Sequence, residues 1–122
     1  MARSIRIPEA VSELVNGKHA TFYRIEYEED GVPDSLVSAN KRYSELLEFN
    51  NVFKKNVKSQ GFFEFPPKRL FRNNDPGFIE RRRQDLEDYL QEVLIHSGNA
   101  GFVMLMDFLK SDSSSKPSSS ED

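Results

Sequence analysis

The sequence predicts an α+β domain, a three-stranded antiparallel sheet packed against a helical subdomain with a long proline loop between helices. Three observations predict it. Apolar residues recur at every second position up to Tyr43, they recur at every third or fourth position after it, and a stretch with two adjacent prolines and neither period separates two helical segments. Strands grouped ahead of helices give α+β, whereas a parallel α/β sheet needs the two to alternate. At 122 residues the chain is long enough for one core and too short for two.

The elements follow in order. Ser4 to Ile7 is a short alternating run stopped by Pro8, as at an edge strand, because proline brings no N–H to a ladder. HATFYRIEYEE, His19–Glu29, sets Thr21, Tyr23, Ile25 and Tyr27 on one side and Phe22, Arg24, Glu26 and Glu28 on the other. EDGVPD supplies a turn, and SLVSANKRY, Ser35–Tyr43, completes an antiparallel meander. Leu46, Phe49, Phe53 and Val57 mark an amphipathic helix with Ser44 as its N-cap. Pro66 and Pro67 keep the next segment out of a helix, and an irregular connection of about fifteen residues is of the kind that carries function. Asp75-Pro76 opens a second helix that runs to about Ser97, where Gly98 stops it. Phe102, Leu105, Met106 and Leu109 make a short last helix. SDSSSKPSSSED, Ser111–Asp122, has no apolar residue and is expected to be a disordered, Ser-rich acidic tail, which leaves residues 1–110 as the domain.

Composition removes several function classes. Without cysteine there are neither disulfides nor thiolate metal sites, and a reducing compartment is expected. No apolar run approaches the ~20 residues of a membrane span, and MARSIRIPEA lacks the hydrophobic segment of a secretory signal. The expectation is a cytoplasmic domain without cofactor or metal. His19 and His96 have no spacing that suggests a metal site or a triad, so no enzyme is expected. The formal charge of −3 hides an asymmetry: from Lys41 to Arg83 there are eleven Lys and Arg against five Asp and Glu, and elsewhere six against fifteen. A basic middle third attracts anionic partners, although ordinary surface solvation explains it equally well. No nucleic-acid-binding motif accompanies it, so no nucleic-acid partner is expected.

IERRRQDLEDYL, Ile79–Leu90, poses the sharpest question. At about 100° per residue, Arg82 falls about 60° to one side of Ile79 and Arg83 about 40° to the other, while Arg81 lies about 160° away and is solvated. Arg82 and Arg83 therefore flank the stripe of Leu86, Leu90, Val93 and Leu94. Their stems can cover the core while their heads reach water, or they can pair with a carboxylate such as Glu80 or Asp85. A guanidinium taken fully out of water needs an anionic partner, from the chain or from a ligand.

KRYSELLEF, FPPKRLF and FIERRRQDLEDYLQEVL, in this order, give the chain from Ile5 to Leu109 a resemblance to the phox-homology (PX) domain, of the small sorting-nexin type. That resemblance implies a phosphoinositide-binding module, most simply for phosphatidylinositol 3-phosphate. It also implies a monomer peripheral on early endosomes or another phosphoinositide-containing membrane, with protein partners in the trafficking machinery. Carried onto this chain, Arg42 resembles the residue that grips the 3-phosphate, and Tyr43 the ring on which the inositol packs. Lys68 resembles the contact to the 1-phosphate, and Arg82 the donor to the 4- and 5-hydroxyls. Arg83 is left to packing or an ion pair. Leu70 and Phe71 either fold back on the core or form a membrane-inserting loop supported by Arg69 and Arg72. The loop departs from the family pattern in having no Pro-x-x-Pro. A protein-interaction adaptor on the same scaffold, or a preference for another phosphoinositide, are the alternatives.

Overall fold

Alternation in the first third of the chain builds a meander, and the later three-to-four spacing lays helices over one of its faces. The computed structural model describes residues 2–57, 64–69 and 75–111. Its elements are β1 (Arg3–Val15), β2 (Lys18–Glu29), β3 (Val37–Arg42), α1 (Tyr43–Asn56), α2 (Pro76–His96) and α3 (Gly98–Lys110). The sheet order is β1-β2-β3, antiparallel throughout. Tyr23, Ile25 and Tyr27 of β2 are buried, as the alternation requires, and share one core with Ile5, Ile7, Leu46, Phe53, Leu86, Leu90, Val93 and Leu105. On the other face the register sets Arg6 opposite Glu26 and Arg24 opposite Glu9, and the pairs meet at 2.9 and 3.5 Å.

β1 is longer than the sequence suggested. Pro8 does not end it. Pairing passes from Arg6↔Glu26 to Glu9↔Arg24, so Ile7 and Pro8 together oppose Ile25 in a β-bulge, where a missing N–H costs no ladder bond. The strand then continues to Val15 and turns through Asn16 and Gly17, with φ of 53° and 81°. Two left-handed residues in a two-residue connection are what a right-twisted hairpin requires, and Asn-Gly supplies them. Two helical boundaries also moved. α1 starts at Tyr43 with Arg42 as N-cap, not with Ser44, because the Arg42 N–H donates to Glu45 Oε1 at 2.8 Å. α3 begins directly after Ser97, with Gly98 in the left-handed region at φ 72°. Asp75 caps α2 by accepting from the Phe78 N–H at 3.0 Å, as its position ahead of proline foretold.

Two cations counted in the basic middle third are structural. Lys41 is 1% exposed; its Nζ donates to the Ser111 carbonyl at 3.1 Å and to Ser111 Oγ at 3.0 Å, over the Phe108 ring. Ser111, expected at the start of the tail, is the C-cap of α3; the remaining tail residues lie outside the described ones. Arg83 forms an ion pair with Glu80 at 2.7 Å, one of its expected roles, and its Nη1 donates to the Ile7 carbonyl at 2.6 Å. Glu87 Oε1 accepts from the Ile7 N–H at 2.7 Å. The bulge thus leaves both backbone groups of Ile7 facing α2, and Arg83 and Glu87 satisfy them. The Glu80 hydrogen bond raises the Arg83 pKa, and the same bond lowers that of Glu80. Replacing Arg83 with alanine leaves a strand carbonyl without its donor and is expected to cost on the order of 2 kcal/mol in urea denaturation. Arg81→Ala, on an exposed position of the same helix, is expected to stay within about 0.5 kcal/mol.

Candidate functional site

The junction of β3 with α1, the double-proline segment and the first turns of α2 converge. Tyr43, the first residue of α1, is 1% exposed and its hydroxyl donates to the Pro66 carbonyl at 2.6 Å. Its ring lies 5.5 Å from that of Phe65, which meets Tyr89 edge-on at 5.0 Å. Tyr89 in turn donates to Asn50 Oδ1 at 2.8 Å, and burial pushes its pKa up. Phe65 is thereby held between two tyrosines, and the prolines that follow it have fixed φ and no N–H to satisfy.

Arg82 grips the same segment from α2. It is 3% exposed, and its Nη2 donates to the Pro67 carbonyl at 2.7 Å. Its guanidinium carbon sits 3.7 Å from the centroid of Tyr43 and 4.4 Å from that of Phe78, a planar cation stacked on two rings. The arginine that flanks the core stripe is therefore buried, and aromatic faces and a carbonyl hold it. The Nε atoms of Arg82 and Arg42 are buried and make no hydrogen bond within the described residues, while both side chains have other contacts.

In front of this assembly lies a cleft of about 520 Å³. Pro66 and Pro67 form one wall, Phe78 and Arg82 the other, and Lys68, Arg69, Arg81 and Asp85 complete it. Arg69 stacks its guanidinium 4.2 Å from the Phe78 centroid. Four cations and one carboxylate thus surround a volume of sugar-phosphate size. Such a cavity concentrates anions, and arginine forks can hold a phosphate through two donors at once. Beyond the proline wall a second cleft, about 450 Å³, has the opposite sign: Glu64, Asp85, Asp88 and Glu92 line it.

Of the four residues expected at a headgroup site, Lys68 and Arg82 line the basic cleft, and Tyr43 lies behind Arg82. Tyr43, expected to offer its ring to a ligand, has the Arg82 guanidinium 3.7 Å from its centroid. Arg42 precedes Tyr43 and is not among the cleft's lining; its guanidinium lies 5.8 Å from the Phe22 ring, across the β2–β3 register. Arg69, expected to support a membrane-inserting loop, borders the cleft, whereas Leu70, Phe71 and Arg72 fall outside the described residues. Arg81, assigned to solvent, is exposed but lines the cleft, and Phe78 and Asp85 were not anticipated there. Phe78, Arg81, Arg82 and Asp85 follow the spacing i, i+3, i+4, i+7, a second face of α2 beside the core stripe, and that pattern was available in the sequence. Among the described residues no group of His, Cys, Asp or Glu is arranged to hold a metal, and no helix is long and apolar enough to cross a membrane.

Residues 34–112 match the family model of the PX domain. The chain is 33% identical over 87 residues to sorting nexin-17 of Rattus norvegicus, covering 71% of this chain and 17% of that protein. It is 38% identical over 61 residues to the kinesin-like protein KIF16B of Mus musculus, covering 50% of this chain and 5% of the relative. It therefore spans less than a fifth of the curated relatives it matches. The X-ray structure of a designed CISK-PX domain superposes with a TM-score of 0.68 at 23% identity, covering 88% of this chain and 99% of that one. The mouse SNX19 PX domain, crystallised with a bound sulphate ion, gives 0.54 at 22% identity over 91% of this chain and 98% of that one. At these identities the superpositions establish the fold.

Tyr43→Phe removes only the hydroxyl that holds the Pro66 carbonyl. The expected result is a loss of about 1 kcal/mol of stability, with faster hydrogen exchange at the Lys68 and Arg69 amides, measured on the intact domain.

Proposed function

Because the chain belongs to the PX-domain family of phosphoinositide-binding, sorting-nexin-like modules, we propose that it recognises phosphatidylinositol 3-phosphate and is drawn by it to the cytosolic face of endosomal membranes. One observation carries the reading: Arg82, buried and stacked, and Lys68, exposed on the proline segment, border the same cationic cleft. A fixed planar donor set beside a mobile ammonium suits a ring whose hydroxyls must be oriented and whose phosphates must be neutralised. Lys68 takes the phosphodiester, Arg82 the hydroxyl edge, and Arg42 the 3-phosphate at the β3–α1 junction. Tyr43 contributes through the arginine stacked on it. The sulphate in the mouse SNX19 PX structure supports the chemistry, since sulphate presents arginine with the same tetrahedral oxygens as phosphate.

Leu70 and Phe71 follow Arg69 in sequence and precede Arg72. In this proposal the two apolar side chains enter the bilayer beside the bound headgroup while the basic residues meet anionic lipid, each worth about 1 kcal/mol near such a surface. The module acts as a monomer and is not a catalyst. A protein-interaction adaptor on the same scaffold is favoured by a separate observation: the β1–β2 hairpin exposes Val11, Leu14 and Val15 at its tip, Leu14 to 67%. Such a surface suits a protein of the trafficking machinery and is compatible with lipid binding.

Liposome co-sedimentation across mono- and bis-phosphorylated inositides tests the lipid assignment. Phosphatidylinositol 3-phosphate should bind best, and Arg42→Ala should weaken that binding on the order of tenfold or more while the melting transition persists. Undiminished binding by the variant removes Arg42 from the site. Leu70→Glu with Phe71→Glu should weaken liposome binding at least about tenfold, because burying the two side chains is worth a few kcal/mol. Binding of the soluble headgroup should be nearly unchanged. Equal losses in both assays would assign the pair to the fold.

A further inference from the structure

The basic cleft contains one carboxylate that the proposed headgroup contacts leave unused. Asp85 follows Arg82 by three positions on α2, so the two side chains share a face, about 4.5 Å apart along the axis. Asp85 is exposed, and it lines both the cationic cleft and the acidic one beyond the proline wall. Lys68, Arg69 and Arg81 border the same cleft. Even so, the Asp85 carboxylate makes no ion pair among the described residues.

A guanidinium only donates hydrogen bonds and a carboxylate only accepts them, whereas a hydroxyl does both. Two neighbouring ring hydroxyls therefore satisfy Arg82 and Asp85 together. A phosphomonoester offers mostly acceptor oxygens and carries about −1.5 to −2 charges at neutral pH, so at that position it satisfies Arg82 and confronts Asp85 with an anion. Four cations without a carboxylate would favour the most highly charged headgroup available. We infer that Asp85 is a specificity-determining residue: it accepts from the hydroxyl edge of the ring beside Arg82 and repels a phosphate there, restricting the cleft to inositides with a single phosphomonoester. The inference rests on the phosphoinositide reading above and adds the residue that sets its selectivity.

The test uses the full chain and liposomes containing phosphatidylinositol, its 3-phosphate, its 3,4-bisphosphate or its 3,5-bisphosphate. Asp85→Asn should raise bisphosphate binding relative to 3-phosphate binding by about tenfold, the scale of one nearby charge in a partly solvated cleft. Asp85→Glu, which keeps the charge, should retain the wild-type preference. Asp88→Asn removes an equal charge from the acidic cleft alone and should change the ratio by less than about twofold, since salt screens a more distant exposed charge. An unchanged ratio in Asp85→Asn, or an equal shift in Asp88→Asn, overturns the assignment. If the wild-type protein binds the 3-phosphate and the Asp85→Asn ratio does not move, Asp85 alone loses its role. If the wild-type protein binds no phosphoinositide above plain phosphatidylinositol, the functional reading fails and the inference fails with it.

Discussion

Two prolyl carbonyls hold the candidate site together. Pro66 and Pro67 belong to no helix or strand, yet the Tyr43 hydroxyl takes one carbonyl and the Arg82 guanidinium takes the next. Proline limits what such a segment needs: φ is fixed and there is no N–H to satisfy, so two donors from two helices are enough to pin it. The bond from arginine is the stronger of the two, because its donor is charged. The grip works in both directions. It seats the proline wall, and it orients the guanidinium that borders the cleft, stacked between Tyr43 and Phe78. A cation this deep would be costly to desolvate if aromatic faces and a carbonyl did not meet it.

Much of this was legible in the sequence. The core face of β2, the cap and length of α2 and the misfit of Arg82 on a core-flanking position all follow from period, and periodicity survives folding because burial imposes it. The misses have physical causes. Pro8 read as a stop because proline cannot pair in a ladder, but a bulge is a place where pairing is not needed, and the strand runs on to the Asn16-Gly17 turn. Arg81 is exposed, as expected, but its place at the cleft was not foreseen, because a helical wheel ranks positions by distance from one buried stripe. It carries no information about a loop that returns along a different side of α2. The buried Lys41 left no signal at all, since its acceptors are contributed by Ser111, 70 residues away.

Charge in this chain is sorted by function. On the outer sheet face, acids and arginines neutralise each other across the register. Arg83 and Glu87 complete the hydrogen bonding of a strand bulge, and Lys41 closes a helix end. The excess positive charge that remains at the cleft is therefore smaller than the composition implies but confined to one concavity. It borders a negative cleft across a wall two residues thick. A steep change of potential over that distance orients an approaching anion as well as attracting it.

The lysine that closes α3 also ties the last helix to the sheet. Ser111 is the C-cap of α3, and its carbonyl and hydroxyl are both held by Lys41. Lys41 is the immediate neighbour of Arg42, the last residue of β3. Those two hydrogen bonds couple the C-terminal end of α3 to the end of the strand from which the site's junction is built. The residue that fastens α3 and the residue proposed to take the 3-phosphate are thus one peptide bond apart.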